Sequence, residues 1–335
     1  MFKNFNLQSY NSFGFDISCS SFAEVNSATA IEQLYASPEF NHKRLILGGG
    51  SNVLFTENFS GLVIWNQIKG IEHVKEDGNF VWLKVGAGVV WHEFVMHCVA
   101  SNLGGIENLS LIPGYVGAAP MQNIGAYGSE IKDTCTQVDF FDFTTGKHQS
   151  LSANECEFDY RESVFKHALK DKVFITHVYF KLHKHPEVNT HYGAITSKLE
   201  HMGVKQPGIR DVSQAVISIR QEKLPDPAEI GNAGSFFKNP YASAEQVKEL
   251  LNVYPHMPHY PVGKQYKLAA GWLIEQCGWK GKTKGSVGVH KNQALVLVHY
   301  GKGKGKDLLK LSEAIQKDVY QKFGIRLVRE VNLVL

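Results

Sequence analysis

Cysteine, long apolar runs and surplus charge of one sign are all scarce in this chain of 335 residues, and each shortage removes a class of protein. The five cysteines, Cys19, Cys98, Cys135, Cys156 and Cys277, are odd in number and form no C-x-x-C pair. That spacing speaks against a disulfide framework or a zinc site and fits a reducing compartment. No apolar run reaches the ~18 residues of a bilayer span, and the opening "MFKNFNLQSYNSFGFD" lacks the apolar region of a signal peptide. A soluble, cytoplasmic protein without a membrane partner is expected. Lys and Arg number 35 against 32 Asp and Glu, a net charge of +3. This is too even for a nucleic-acid coat, so any anion site must be local.

Familiar catalytic signatures are also missing. In "HEFVMH", His92 and His97 stand five apart, off the shared helix face of an H-E-x-x-H zincin. His256 and His259 lie in the proline-bounded turn "HMPH", a surface position, and no metal is expected. "GKGKGKD", Gly301 to Asp307, lacks the spacing and the following Ser or Thr of a Walker loop and reads as a mobile basic loop.

What is present is an ordinary globular balance: 43% hydrophobic, 11% aromatic and 20% charged residues, which argues against disorder. "SATAIEQLYA" has helical spacing with Ser27 as its cap, and "VWHEFVMHCVASN" reads as a second helix. "RLILGGGSNVLF" is strand, glycine turn, strand. "GLVIWN", "FVWLKVGAG", the hairpin "QVDFFDF-TTGK-HQSL" and the alternating "KVFITHVYFKLHK" are further strands. "HKHPEVNTHYGAI" reads as a loop and "VSQAVISIRQEK" as a helix, broken by the prolines and glycines of "LPDPAEIGNAG". Three helices follow, in "SAEQVKELLNVY", "KLAAGWLIEQCG" and "GKDLLKLSEAIQKDVYQKFG". "QALVLVHY" is a strand between them, and "IRLVREVNLVL" closes the chain as another. The expected domains are 1–66, 67–222 and 223–322, with the terminal strand 323–335 returning to the first domain or to the active site.

Two glycine-rich loops are suited to a phosphate-bearing ligand. In "GGGSN", Gly48, Gly49 and Gly50 let backbone N–H groups approach a diphosphate, and Ser51 and Asn52 add side-chain donors. Val53 and the following strand break the Rossmann pattern, so a ligand-free turn is an equal reading. "IPGYVGAAPMQNIGAYG", Ile112 to Gly128, has too little bulk for a core, and only Tyr127 is a large wedge. It suits backbone lying flat on a planar ligand, with Gln122 and Asn123 hydrogen-bonding the ligand's edge. In "GNAGSFFKNP", Ser235 lies outside any G-x-S-x-G elbow, and no histidine lies within twenty residues. A serine there is not a nucleophile for carbonyls.

Four segments taken together resemble the UDP-N-acetylenolpyruvoylglucosamine reductases, in their type I branch: "GGGSNVLF", "IPGYVGAAPMQNIGAYG", "YRESVFK" and "GNAGSFFKNP". "KLAAGWLIEQCG" and "VHKNQALVLV" add support, and the similarity runs from about Asn11 onward. The resemblance implies an α+β, FAD-binding fold of the vanillyl-alcohol-oxidase / p-cresol methylhydroxylase type in two subdomains, with a C-terminal α+β substrate domain. It also implies reduction of the enolpyruvyl ether of UDP-N-acetylglucosamine to UDP-N-acetylmuramate, a peptidoglycan precursor needed for cell-wall growth, cell shape and division. NADPH would be the donor and FAD the carrier, with hydride from flavin N5 and a proton from Ser235. Arg161 would hold the substrate carboxylate, and Glu330 would assist protonation. Pro113, Gly114, Ala118, Ala119, Gly125, Tyr127 and Arg220 join the two glycine loops as cofactor residues. Ala118 and Ala119 stand where some members carry serine. Tyr192, Lys223, Asn239 and Gln293 would bind the nucleotide sugar. With no second dinucleotide fingerprint, one site would serve NADPH and the sugar in turn, and no protein or nucleic-acid partner is evident. Two rivals stay open: a sugar-alcohol oxidase of the same fold that uses O₂, and a flavin- or nucleotide-binding module without turnover.

Overall fold

Period-two alternation in the stretch from Phe80 to His183 builds the main sheet of a computed structural model that describes residues 1–335. The chain forms two compact units. The first comprises Met1–Phe5, Cys19–Gly49 and Ser60–Glu222, and the second comprises Asn6–Ser18, Gly50–Phe59 and Lys223–Leu335.

In the first unit, five antiparallel strands lie in the order Lys147–Ser152, Cys135–Asp142, Val173–His183, Phe80–Gly86, Ile71–Glu76. One face presents Val81, Leu83, Val85, Val138, Phe140, Val178 and Phe180 to helix α2 (Trp91–Ala100), which buries Trp91, Phe94, Val95 and Cys98 against them. Each large apolar side chain taken from water contributes about 1.5–3 kcal/mol, so this layer is the unit's main stabiliser. Phe141 and Phe174, on the opposite face, pack on Ile31 and Leu34 of α1 (Ala28–Tyr35). The Ser27 hydroxyl caps that helix by accepting from Ala30 N at 3.1 Å. A four-stranded sheet ordered Phe2–Asn6, Ser18–Val25, Phe59–Asn66, Arg44–Leu47 contributes Val25, Leu62 and Ile64 to the same cluster. Helices α3 (Gly193–His201) and α4 (Ile209–Lys223) pack together through Ile195, Leu199, Val212, Val216 and Ile219. The loop expected around Tyr192 therefore turns helical at Gly193, with Tyr192 as N-cap residue.

In the second unit, strands Gly231–Ser235, Val296–His299, Val287–Val289 and Thr283–Lys284 form an antiparallel sheet. Helices α5 (Ala244–Val253), α6 (Ala270–Gln276) and α7 (Gly305–Phe323) follow. Leu308, Leu311, Ile315, Val319 and Phe323, one stripe of α7, are buried. "GKGKGKD" is thus only half a loop. A Cβ on Gly305 would lie 1.8 Å from the Phe55 carbonyl, so only glycine starts the helix at this contact. The terminal segment is strand only at Asn332–Val334, which pairs in parallel with Val53–Phe55. Ile325 to Glu330 runs extended beside residues 236–238 without a continuous ladder, because its contacts are single bonds to a neighbouring segment. No helix is long and apolar enough to cross a membrane, and no cluster of three His, Cys, Asp or Glu side chains is arranged to hold a metal. Cys19, Cys98, Cys135 and Cys156 are buried, while Cys277 is half-buried at the end of α6.

Candidate active site

In the first unit the two glycine loops meet. A Cβ on Gly49 would come 3.0 Å from Gly114 Cα and 3.3 Å from the Tyr115 ring, and one on Gly48 would lie 3.7 Å from the same ring. Strand Arg44–Leu47 delivers Gly48 and Gly49 to this contact. The N–H groups of Val116 and Gly117 bond to the carbonyls of Val89 and Ala87, fixing the second loop along the end of the sheet. Meanwhile the N–H groups of Gly49, Gly114 and Tyr115 donate to nothing within the chain. In the second unit, Gly50 has φ +62° and a Cβ there would sit 2.0 Å from the Tyr10 carbonyl. The N–H groups of Gly50 and Ser51 are likewise unbonded. Unpaired donors on backbone stripped of Cβ atoms fit the diphosphate of a dinucleotide cofactor.

The second loop is not a flat ribbon. Val116–Ala118 and Pro120–Gln122 are short 3₁₀ turns, and Asn123 is buried in the left-handed region at φ +43°. Its amide is spent internally. Nδ2 donates to Glu130 Oε2 and the Asp159 carbonyl, both at 3.0 Å, and Oδ1 accepts from Lys132 N at 3.1 Å. Asn123 therefore shapes the loop, which corrects the expectation that its amide edges a ligand. Gln122 and Ala119 lie beside it, Ala119 buried and Ala118 and Pro113 exposed.

Arg161 also has left-handed backbone, at φ +55°, and its Nη2 donates to the Gly125 carbonyl at 2.6 Å. Arg220, on α4, donates from Nε to the Leu111 carbonyl at 3.2 Å and lies close enough to the Tyr127 hydroxyl to interact with it electrostatically. Burial pushes the Tyr127 hydroxyl pKa up, opposed by Arg220. Tyr192 stacks edge-on to Tyr127 at 5.3 Å. Arg161, Gly125, Tyr127, Arg220 and Tyr192 thus form one cluster. A cavity of about 510 Å³ lies elsewhere in this unit, between Ile71, Val81, His97 and Lys184, and none of these residues lines it.

In the second unit, Ser235 ends its strand opposite Val296. Phe236 N–H bonds the Leu295 carbonyl at 2.8 Å, and the Phe236 carbonyl accepts from Glu330 N at 2.9 Å. Phe237 bridges Arg329. Ser235 and Glu330, far apart in sequence, therefore sit on hydrogen-bonded neighbouring segments. Asn52 Nδ2 donates to the Glu330 carbonyl at 3.3 Å and joins them. The Ser235 side chain is exposed and makes no hydrogen bond within the chain, while Phe236 and Phe237 point into the core beneath it. Asn239 Oδ1 accepts from Ala270 N at 3.0 Å. Gln293 Oε1 faces the next residue of α6, 3.2 Å from a Cβ on Gly271. Lys223 is exposed at the end of α4.

Residues missed in the sequence brace this cluster. His92 Nδ1 accepts from Leu111 N at 3.0 Å, and Leu111 is itself left-handed at φ +58°. Asn108 Nδ2 donates to the carbonyls of both Tyr127 and Asn189 at 2.9 Å. A polar residue at a position that packing keeps dry was the only available signal.

An α+β fold with a donor-rich double glycine loop, followed by an α+β domain that sets Ser235 and Glu330 on neighbouring segments, is the arrangement of an FAD-binding oxidoreductase. A profile described as FAD binding domain matches residues 22–152, and one described as UDP-N-acetylenolpyruvoylglucosamine reductase, C-terminal domain, matches residues 226–334. The chain is 46% identical over 334 residues to the UDP-N-acetylenolpyruvoylglucosamine reductase of Flavobacterium johnsoniae, covering 99% of both chains. It is 44% identical over 337 residues to that of Bacteroides fragilis, covering 100% of both. The crystal structure of the Thermus caldophilus enzyme of this name shares the fold, with a TM-score of 0.66 at 22% identity over 98% of this chain and 97% of that one. The chain belongs to the UDP-N-acetylenolpyruvoylglucosamine reductase family and carries an FAD binding domain.

Proposed function

We propose that this chain reduces the enolpyruvyl ether of UDP-N-acetylglucosamine to UDP-N-acetylmuramate for peptidoglycan synthesis in the cytoplasm, with NADPH as electron donor. Residues 1–66 and 67–222 would form the two FAD-binding subdomains and 223–322 the substrate domain. The unpaired N–H groups around Gly49 and Gly114 would hold the cofactor's diphosphate. Bound FAD supplies the two-electron relay between the nicotinamide and the enol ether.

Ser235 is the proton donor in this reading. An alcohol keeps its proton at neutral pH and yields it only to a stronger base, such as the carbon that gains charge when the double bond is reduced. The proton then forms the new C–H bond, and the serine oxygen recovers one from solvent. Glu330, on the adjoining segment, polarises the hydroxyl. Arg161 supplies a planar fork for the substrate carboxylate. A full charge pair at ~4 Å and an effective dielectric near 20 gains about 4 kcal/mol, roughly a thousandfold in rate if gained only in the transition state. Tyr192, Lys223, Asn239 and Gln293 would hold the nucleotide sugar, Lys223 at its diphosphate.

The observation that carries this reading is that the segments bearing Ser235 and Glu330 are neighbours, joined by the Glu330 N–H to the Phe236 carbonyl, in a chain of this family. Ser235→Ala tests it. The variant should keep FAD and lose its visible absorbance normally with NADPH, then regain it at least ~1,000-fold more slowly with the enolpyruvyl sugar. Wild-type recovery would remove Ser235 as the acid.

A further inference from the structure

One buried side chain shapes the strand that presents Ser235. Strand Gly231–Ser235 pairs with Val296–His299 at Gly231↔His299 and Asn232↔Val298. The register then slips, so that Ser235, three residues on, faces Val296, two residues back. An unbroken ladder would set Gly234 at that place and carry the serine one step past it. A one-residue bulge re-aims the side chain that follows it, and here that side chain is the hydroxyl.

Asn232 builds the bulge. It is 2% exposed, and both polar atoms of its side chain are engaged. Oδ1 accepts from Gly234 N at 2.9 Å and closes the turn over the extra residue. Nδ2 donates to the carbonyls of Ile230 at 2.8 Å and Pro225 at 3.1 Å. A short side-chain amide supplies one acceptor and two donors from a single planar group, which no hydroxyl or carboxylate does. Gly234 takes up the extra residue at φ +67°, where a Cβ would meet nothing within 4 Å. The turn is moored from behind as well. Asn232 N donates to the Ser12 carbonyl at 3.0 Å, and Ser12 N donates to the Gly50 carbonyl at 3.1 Å.

We propose that Asn232 is the positioning residue for proton delivery: it sets the bulge that places Ser235 and moors that bulge to Ser12. The proposal rests on the reductase reading above, in which Ser235 is the donor. It confines the influence of Asn232 to the half-reaction that consumes the proton and spares the half that loads the electrons.

Both halves would be followed on FAD-loaded protein: bleaching of the visible absorbance by NADPH, then its recovery at saturating enolpyruvyl sugar. Asn232→Ala should slow recovery about 100-fold and leave bleaching within about 2-fold. Gly234→Ala strains the turn without touching a buried polar group and should slow recovery about 5-fold. Gly234→Asn, which tolerates left-handed backbone, should restore most of that rate. In a Ser235→Ala background, Asn232→Ala should add less than ~2-fold, because no hydroxyl is left to aim. In FAD-free protein, amide exchange over residues 231–237 should quicken about 10-fold in Asn232→Ala while α7 keeps its protection. Wild-type recovery or unchanged amide exchange in Asn232→Ala overturns the proposal. So does equal slowing of both halves, or full additive slowing on top of Ser235→Ala, each the mark of a general distortion. If Asn232→Ala does not fold, the two Gly234 variants decide, wild-type recovery in Gly234→Ala being the contrary result. Ser235→Ala is measured first, and normal recovery in that variant removes the parent reading instead.

Discussion

The Ser235 and Glu330 segments of the second unit and the cluster around Tyr127 in the first are built on opposite plans. Ser235 and Glu330 are placed through main-chain bonds: strand pairing of Ser235 to Val296, and one N–H from Glu330 to the Phe236 carbonyl. The exposed Ser235 hydroxyl is left unengaged, which suits the proton donor proposed for it. Around Tyr127, side chains hold one another, and Asn123, Arg161 and Arg220 each spend hydrogen bonds inside the protein. Groups that react are supported from behind, and groups that shape are tied at the front.

Three substitutions or conditions sharpen or break that contrast. Glu330→Gln, the largest effect, should slow turnover about 100-fold with a far smaller effect on the urea midpoint, because the role proposed for its carboxylate is chemical. A lowered midpoint would show that its carboxylate is a brace after all. Asn123→Ala should cost about 2–3 kcal/mol, seen as a lower urea midpoint, with weakened FAD binding as the loop loosens. Stability equal to the wild type would mean that the turns hold themselves.

Acidification should have the smallest effect. Burial, then the Arg220 charge, lowers the His92 pKa below its ordinary 6.5, and burial lowers those of His177 and His290 in the same direction. The unfolded chain therefore binds more protons below that value. The stability these neutral histidines contribute is complete above pH ~6.5 and is lost as pH falls toward their folded values. Thermal midpoints should drop between pH ~7 and ~5, and less in His92→Gln. An identical pH profile in that variant would clear His92 of the effect.

Local chemistry made much of this legible in sequence. The Ser27 cap, the hairpin across Thr144–Lys147 and the stripe of α7 follow from spacing and turn residues, and low bulk alone singled out Ile112 to Gly128. Tertiary bonds hid the rest. Nothing near Arg161 or Leu111 announces a left-handed backbone, because the partners that impose it, Gly125 and His92, are distant in sequence. Gly305 looked like part of a flexible tract because the Phe55 carbonyl that demands a glycine comes from far upstream. Phe236 and Phe237, consecutive in sequence, are both buried beneath the exposed Ser235, which period-two alternation alone would not indicate.

The cysteine pattern has a practical use. Four thiols are sealed, three of them with pKa values pushed far up by burial, so a mild maleimide would react at Cys277. That position ends α6, whose first N–H is held by Asn239. A fluorophore there would report on nucleotide-sugar arrival at the site proposed for Asn239, without introducing a single foreign residue.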